Sequence, residues 1–176
     1  ITFLFIGRIM REKGIEEYLS AAQNLIKKYP NVEFWILGKF EEKGFKKIFE
    51  CIESKRIKYL GTSQDVREQI RKADCIVHPS YHEGMSNVLL EGAAMGKPLI
   101  ASDIPGCREI VKHGYNGYLF TPRSTVELIE KLIQFIKLDK EQKKFMGENS
   151  RRKVEIEFDR QIVVEEYIKI IQKLLK

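Results

Sequence analysis

What this 176-residue sequence lacks narrows it quickly. No apolar run approaches the ~18 to 20 residues of a bilayer span, so no membrane-crossing helix is expected within it. Its three cysteines, Cys51, Cys75 and Cys107, are odd in number, far apart and in no CxxC pair. That usage fits a reducing cytosol better than a secreted disulfide scaffold, and no zinc site is expected. No GxGxxG fingerprint and no Walker loop follow the first apolar segment, which excludes the two commonest phosphate-binding signatures at that place. Internal repeats, low-complexity tracts and linkers are also missing. The 31 basic residues are scattered among 25 acidic ones, so the net charge of +6 forms no stripe of the kind nucleic acid requires.

What is present is the makings of one compact domain. With 43% hydrophobic residues, a chain of this length buries roughly two thirds of its unfolded surface. It opens inside an apolar segment, without methionine or a charged-then-apolar leader, as expected of a fragment of a longer protein.

Thr2 to Ile6 is continuously apolar, as in a strand covered on both faces of a parallel sheet. Gly14 to Lys28 repeats apolar residues at helical spacing and is closed by Pro30. The alternation continues with strands at Val32 to Leu37, Ile57 to Leu60, Asp74 to His78, Pro98 to Ala101 and Gly117 to Phe120. Between them come helices at Glu42 to Ser54, Asp65 to Ala73 (capped by Asp65), from Ser86, and a short one around Arg108 to Lys112. Three helical stretches end the chain, near Thr125 to Leu138, Glu141 to Glu157 and Arg160 to Leu175. The expected fold is α/β, a Rossmann-like, doubly wound parallel sheet of about six strands with additional C-terminal helices. The last helix carries an apolar band wider than a surface helix needs, which either closes this domain's core or meets something outside the chain.

The stretch His78 to Pro98, HPSYHEGMSNVLLEGAAMGKP, is the centre of interest. Ser86 is placed to cap a helix, leaving the amides of Asn87, Val88 and Leu89 at its start, where phosphate oxygens bind. Glu83 lies before that start and Glu91 four residues after Asn87, so two carboxylates flank one anion site; sugar hydroxyls are the donors that suit them. Taken alone, an ordinary loop glutamate, an ordinary helix glutamate and small residues for close packing explain the stretch equally well.

In a doubly wound sheet of order 3-2-1-4-5-6, ligands bind above the ends of strands one and four. Strand one runs into Gly7 to Gly14, GRIMREKG, so Arg8 and Lys13 are expected to converge on the same anion. Two cations and backbone donors suit a diphosphate without a metal. Of the histidines, His78 at a strand end reads as packed structure, and His82 beside Glu83 is the one to test.

The GRIMREKG loop, the segment SYHEGMSNVLLEGAAMGKP and the following PLIASDIPGCREIV resemble the donor-binding half of the GT-B glycosyltransferases, in the retaining family 4 (group 1). The resemblance covers nearly the whole chain. It implies that residues 1–176 are the C-terminal, nucleotide-sugar-binding domain, the acceptor-binding N-terminal domain lying outside the sequence. It further implies transfer of a hexose or N-acetylhexosamine, with retention, from a UDP-sugar to a glycan or lipid-linked acceptor in surface polysaccharide or oligosaccharide synthesis. Arg8, Lys13 and Glu83 would be catalytic: the cations on the departing diphosphate, the glutamate near the reacting sugar carbon. Gly7, Gly61, Thr62, Ser63, Gly84, Met85, Ser86, Asn87, Val88 and Glu91 would bind the donor, Glu91 through the ribose hydroxyls. Reaction on the donor's front face, with the leaving phosphate assisting deprotonation of the acceptor, would require no metal and no other cofactor. The sequence departs from the family at Gly38, Lys39 and Phe40, where a Gly-x-Gly is common. The implied setting is cytoplasmic, at the membrane's cytoplasmic face for the full-length enzyme, with this fragment alone inactive. A GT-B epimerase of nucleotide sugars and a noncatalytic nucleotide-sugar-binding module are the alternatives.

Overall fold

The computed structural model describes residues 1–50 and 54–175, so Cys51 and the expected helix beyond Glu50 fall outside it or at its margin. Six parallel strands form one sheet: β1 (Thr2–Ile6), β2 (Glu33–Leu37), β3 (Ile57–Tyr59), β4 (Cys75–His78), β5 (Leu99–Ser102) and β6 (Gly117–Phe120). Their order, β3-β2-β1-β4-β5-β6, is the expected one, with β1 paired to β2 on one side and to β4 on the other.

Helices α1 (Ile15–Lys28), α2 (Lys43–Glu50), α3 (Arg67–Lys72), α4 (Asn87–Ala94), α5 (Thr125–Lys137), α6 (Lys140–Glu157) and α7 (Arg160–Leu174) complete the chain. Alternation along each strand divides the apolar residues between two cores. Phe3, Phe5, Phe34, Ile36, Cys75 and Val77 meet Tyr18 and Leu25 of α1 and Leu132 and Phe135 of α5. Leu4, Ile6, Ile76, Leu99 and Ala101 meet Ile70 of α3 and Leu89 and Ala93 of α4 on the other face. Each large side chain so buried contributes roughly 1.5–3 kcal/mol, which is why strands without polar alternation are stable here.

Three local expectations are corrected. The segment around Arg108 to Lys112 is not a helix: Cys107 and Arg108 both donate to the Ile104 carbonyl, and Ile110 and Val111 to that of Cys107, in consecutive tight turns. Asp65 does not cap α3. Its carboxylate accepts from the Arg67 amide and guanidinium, and the cap position falls to Val66, which has no side-chain acceptor. Finally, α7 closes no core, because none of its residues is buried and Val163, Tyr167, Ile168, Ile170, Ile171 and Leu174 are exposed. Val154 of α6 is buried in that core instead.

Candidate active site

The sheet order reverses between β1 and β4, and the loops leaving these two strands are bonded together. After β1 the chain makes a 3-10 turn at Arg11–Lys13 and ends it on Gly14, whose φ is 72°. A Cβ at Gly14 would stand 2.0 Å from the Pro79 carbonyl oxygen, so glycine is required by conformation and by contact with the other loop. The Tyr81 amide donates to the Glu12 carbonyl at 2.9 Å. Its hydroxyl donates to Glu17 Oε1 at 2.6 Å, out of water, tying the β4 loop to α1.

Within this frame Lys13 Nζ reaches Glu83 Oε1 at 2.6 Å. His78 Nε2 lies 2.8 Å from the same oxygen. Partial burial pushes the Glu83 carboxyl up, yet the hydrogen bonds from His78 and Lys13 outweigh it and hold it down to about 2. Arg8, at the start of the β1 loop, is exposed and makes no ion pair with the described residues. The neighbouring Arg11 is occupied by Glu16.

Ser86 caps α4, its hydroxyl accepting from the Leu89 amide at 3.4 Å. Of the three amides expected to face a ligand, Leu89's is therefore taken. Asn87 and Val88, the first two helical positions, have no carbonyl one turn back to bond and remain the donors at this end. The turns after β5 support the loop from behind: Gly106, with φ 80°, accepts the Ser86 amide at 3.2 Å. A side chain there would collide with the Gly84 carbonyl oxygen at 2.5 Å. Met85 is exposed on this turn.

The two glutamates line separate hollows. Glu83 borders a hollow of about 310 Å³ with Tyr81, His82, Ile104 and Pro105. Glu91 borders one of about 460 Å³ with Gln64, Asp65, Val66, Arg67, Ile70, Ala94 and Met95, and partial burial raises its carboxyl. Gly61, Thr62 and Ser63 follow β3 as expected but do not line that hollow, and the Ser63 hydroxyl bonds the Asp65 carbonyl. The stretch Gln64 to Arg67, within which Asp65 was expected as a helix cap, lines that hollow instead. Of the histidines, His78 is packed and hydrogen-bonded as expected, its partner being Glu83, while His82 is exposed at the edge of the Glu83 hollow. The described residues contain no cluster of three His, Cys, Asp or Glu able to hold a metal.

A Rossmann-like sheet with cations, carboxylates and a helix start gathered at its switch point defines the class as α/β with a site suited to a phosphorylated ligand. Comparison with known proteins makes this specific. The chain belongs to the family of glycosyl transferases group 1, whose sequence model matches residues 1–153. It is 28% identical over 173 residues to N,N'-diacetylbacillosaminyl-diphospho-undecaprenol alpha-1,3-N-acetylgalactosaminyltransferase of Campylobacter jejuni, covering 98% of this chain and 45% of that one. It is 26% identical to the capsular polysaccharide biosynthesis glycosyltransferase CapM of Staphylococcus aureus, covering 98% of this chain and 46% of the relative. The chain thus spans slightly under half the length of these relatives.

Among solved structures it is similar to the C-terminal domain of a glycosyl transferase group 1 family protein (LpcC) from Francisella tularensis. The TM-score is 0.79 at 28% identity, over 89% of this chain and 85% of that one. It shares its fold with Anabaena Alr3699/HepE, a structure in complex with UDP, at TM-score 0.86 and 24% identity, over 98% of this chain and 48% of that one. The fold is therefore that of the C-terminal domain of a GT-B glycosyltransferase.

Proposed function

We propose that this chain is the donor-binding half of a retaining glycosyltransferase that moves a hexose or N-acetylhexosamine from a UDP-sugar to a glycan or lipid-linked acceptor in surface polysaccharide or oligosaccharide assembly. The observation that carries the reading is the meeting of Lys13 and Glu83 beside the start of α4, at the switch point between β1 and β4. Arg8 and Lys13 take the diphosphate, and their charge counters the negative charge that develops on it as the sugar leaves. The Asn87 and Val88 amides add donors at the same end. Glu83 contacts the sugar near its reacting carbon. Glu91 accepts the ribose hydroxyls at the edge of a hollow whose 460 Å³ lies within the ~300–1,000 Å³ usual for small-molecule sites.

Support for UDP comes from the UDP bound in the Anabaena neighbour, and for a lipid-linked or polysaccharide acceptor from the names of the Campylobacter and Staphylococcus relatives. Two cations suffice to neutralise a diphosphate, so the reaction runs without a metal or other cofactor. The acceptor is held by the N-terminal half, and this half alone does not turn over at the full-length rate. The enzyme works in the cytoplasm, at the membrane face where a lipid-linked acceptor is presented. No described helix is long and apolar enough to cross a membrane.

Calorimetric titration with UDP, GDP and ADP in EDTA tests the reading. Binding of UDP in preference to the others, weakened by both Arg8→Ala and Glu91→Ala, is expected. A full-length protein that binds none of the three in EDTA would overturn it.

A further inference from the structure

Glu83 has two partners on one oxygen, and only one of them has another task. Lys13 and His78 both reach Oε1, at 2.6 and 2.8 Å, while Oε2 makes no hydrogen bond with the described residues. On the function proposed above, Lys13 turns to the diphosphate when a donor arrives. Glu83 would then lose a charged partner at the moment its position matters.

His78 has no such competing partner. It is the last residue of β4, its main chain held in register with Ala101 of β5, and its side chain is 4% exposed. Its other ring nitrogen, Nδ1, is buried and has no partner among the described residues. A proton on Nδ1 would be a buried donor without an acceptor, costing ~1–3 kcal/mol, whereas Nε2 faces an ionised carboxylate. The hydrogen-bond pattern therefore selects the Nε2–H tautomer. The residue that follows, Pro79, packs its carbonyl closely against Gly14, which fixes the backbone from which the buried ring projects.

We propose that His78 is a positioning residue: its Nε2–H holds Glu83 Oε1 in place when Lys13 leaves for the diphosphate. It touches no substrate and acts through Glu83 alone, and the assignment rests on the roles given above to Lys13 and Glu83.

The test uses the full-length protein labelled with ¹⁵N-histidine, the His78 signals being assigned by their loss in His78→Gln. The Nε2–H tautomer is expected, with a ring proton protected from exchange. That proton should persist in Lys13→Ala, which mimics the departure of the lysine, and disappear in Glu83→Ala. An Nδ1–H tautomer, loss of the proton in Lys13→Ala, or its survival in Glu83→Ala each overturns the proposal without reference to any donor.

Turnover of UDP-glucose supplies the functional arm. His78→Leu should lower kcat about 10- to 100-fold, the scale of a displaced reacting group, with KM within about threefold, and His78→Gln, which restores a donor near the Nε2 position, should recover most of the loss. Equal loss in both variants, or a kcat within about twofold of the parent in His78→Leu, overturns the proposal. Failure of the glycosyltransferase reading looks different: the parent full-length protein would itself turn over no UDP-glucose while the ring proton still behaved as described.

Discussion

Lys13 and Glu83, seventy positions apart in the chain, form an ion pair of 2.6 Å that joins the loop after β1 to the loop after β4. Without ligand the two charges answer each other, while Arg8 stands exposed without an ion pair among the described residues. The two cations assigned to the diphosphate therefore begin from different states, and their substitutions should separate.

Arg8→Ala should weaken UDP about 10- to 100-fold, the loss of one charge-assisted contact, and leave the Tm unchanged. Lys13→Ala should weaken UDP and also lower stability by about 1–3 kcal/mol, because Glu83 is partly buried and loses a partner. Calorimetric titration in EDTA together with thermal unfolding reads both effects; identical Tm values for the two variants would contradict the pairing.

Glu83, held by His78 and Lys13 together, sets an acid sensitivity. A carboxyl held at about 2, against an ordinary 4.5, stabilises the folded state fully above about 4.5, and that contribution is lost as the pH falls from there toward about 2. Urea unfolding should show the parent losing stability between about pH 5 and about pH 3, and Glu83→Gln, weaker at neutral pH, losing less over that interval. Parallel curves would place the acid sensitivity elsewhere.

Glu83 and Glu91 line separate hollows, so their losses should appear in different constants. In the full-length enzyme Glu83→Ala should reduce kcat about 100-fold or more with UDP affinity within about threefold. Glu91→Ala should instead weaken UDP by about tenfold, the size of a lost pair of hydrogen bonds to a ligand. A noncatalytic module would show the second effect and have no rate to lose.

The buried bond from Tyr81 to Glu17 makes a claim about the frame. Glu17 Oε2 already lacks a partner among the described residues, so Tyr81→Phe leaves the whole carboxylate unanswered and should cost about 1–3 kcal/mol. Adding Glu17→Leu should return part of that loss, since removing both partners removes the unmet charge. Chemical denaturation of the single and double variants decides it.

Gly92 tests how closely α4 lies on the sheet. A Cβ there would stand 2.7 Å from Ile76 Cγ1 and 3.3 Å from Leu99 Cδ2. Gly92→Ala gains about 1 kcal/mol of helix propensity and should still be net destabilising, because the core must shift by an amount that costs about 1–3 kcal/mol. A variant more stable than the parent would show that the helix has room to move.

The elements of the fold were legible because their signals are local. The unbroken apolar run of Thr2 to Ile6, the helical spacing of Ile15 to Ile26 and the Ser86 cap each depend on neighbours within a turn or a strand length. Alternation also pointed to a doubly wound sheet, but that class has more than one common strand order, and the pairing of β1 with β4 is what selects the one found here. Local signals failed where one residue type serves two purposes. Asp65 has the chemistry of a helix cap and instead holds Arg67, and the segment around Arg108 to Lys112, expected as a short helix, is drawn into turns that begin at Ile104 and pass through Gly106.

The site divides in the same way. Arg8, Lys13, Glu83 and Glu91 stood out in the sequence through motifs that resemble the family's, each lying just beyond a strand end or in the helix that follows one. Folding in three dimensions was needed to show that Lys13 and His78 share one oxygen of Glu83, that the two glutamates line different hollows, and that Tyr81 ties the frame to α1. Those relationships join residues brought together by the pairing of β1 with β4, and hydrogen bonding between positions so far apart leaves no trace in the periodicity of either segment.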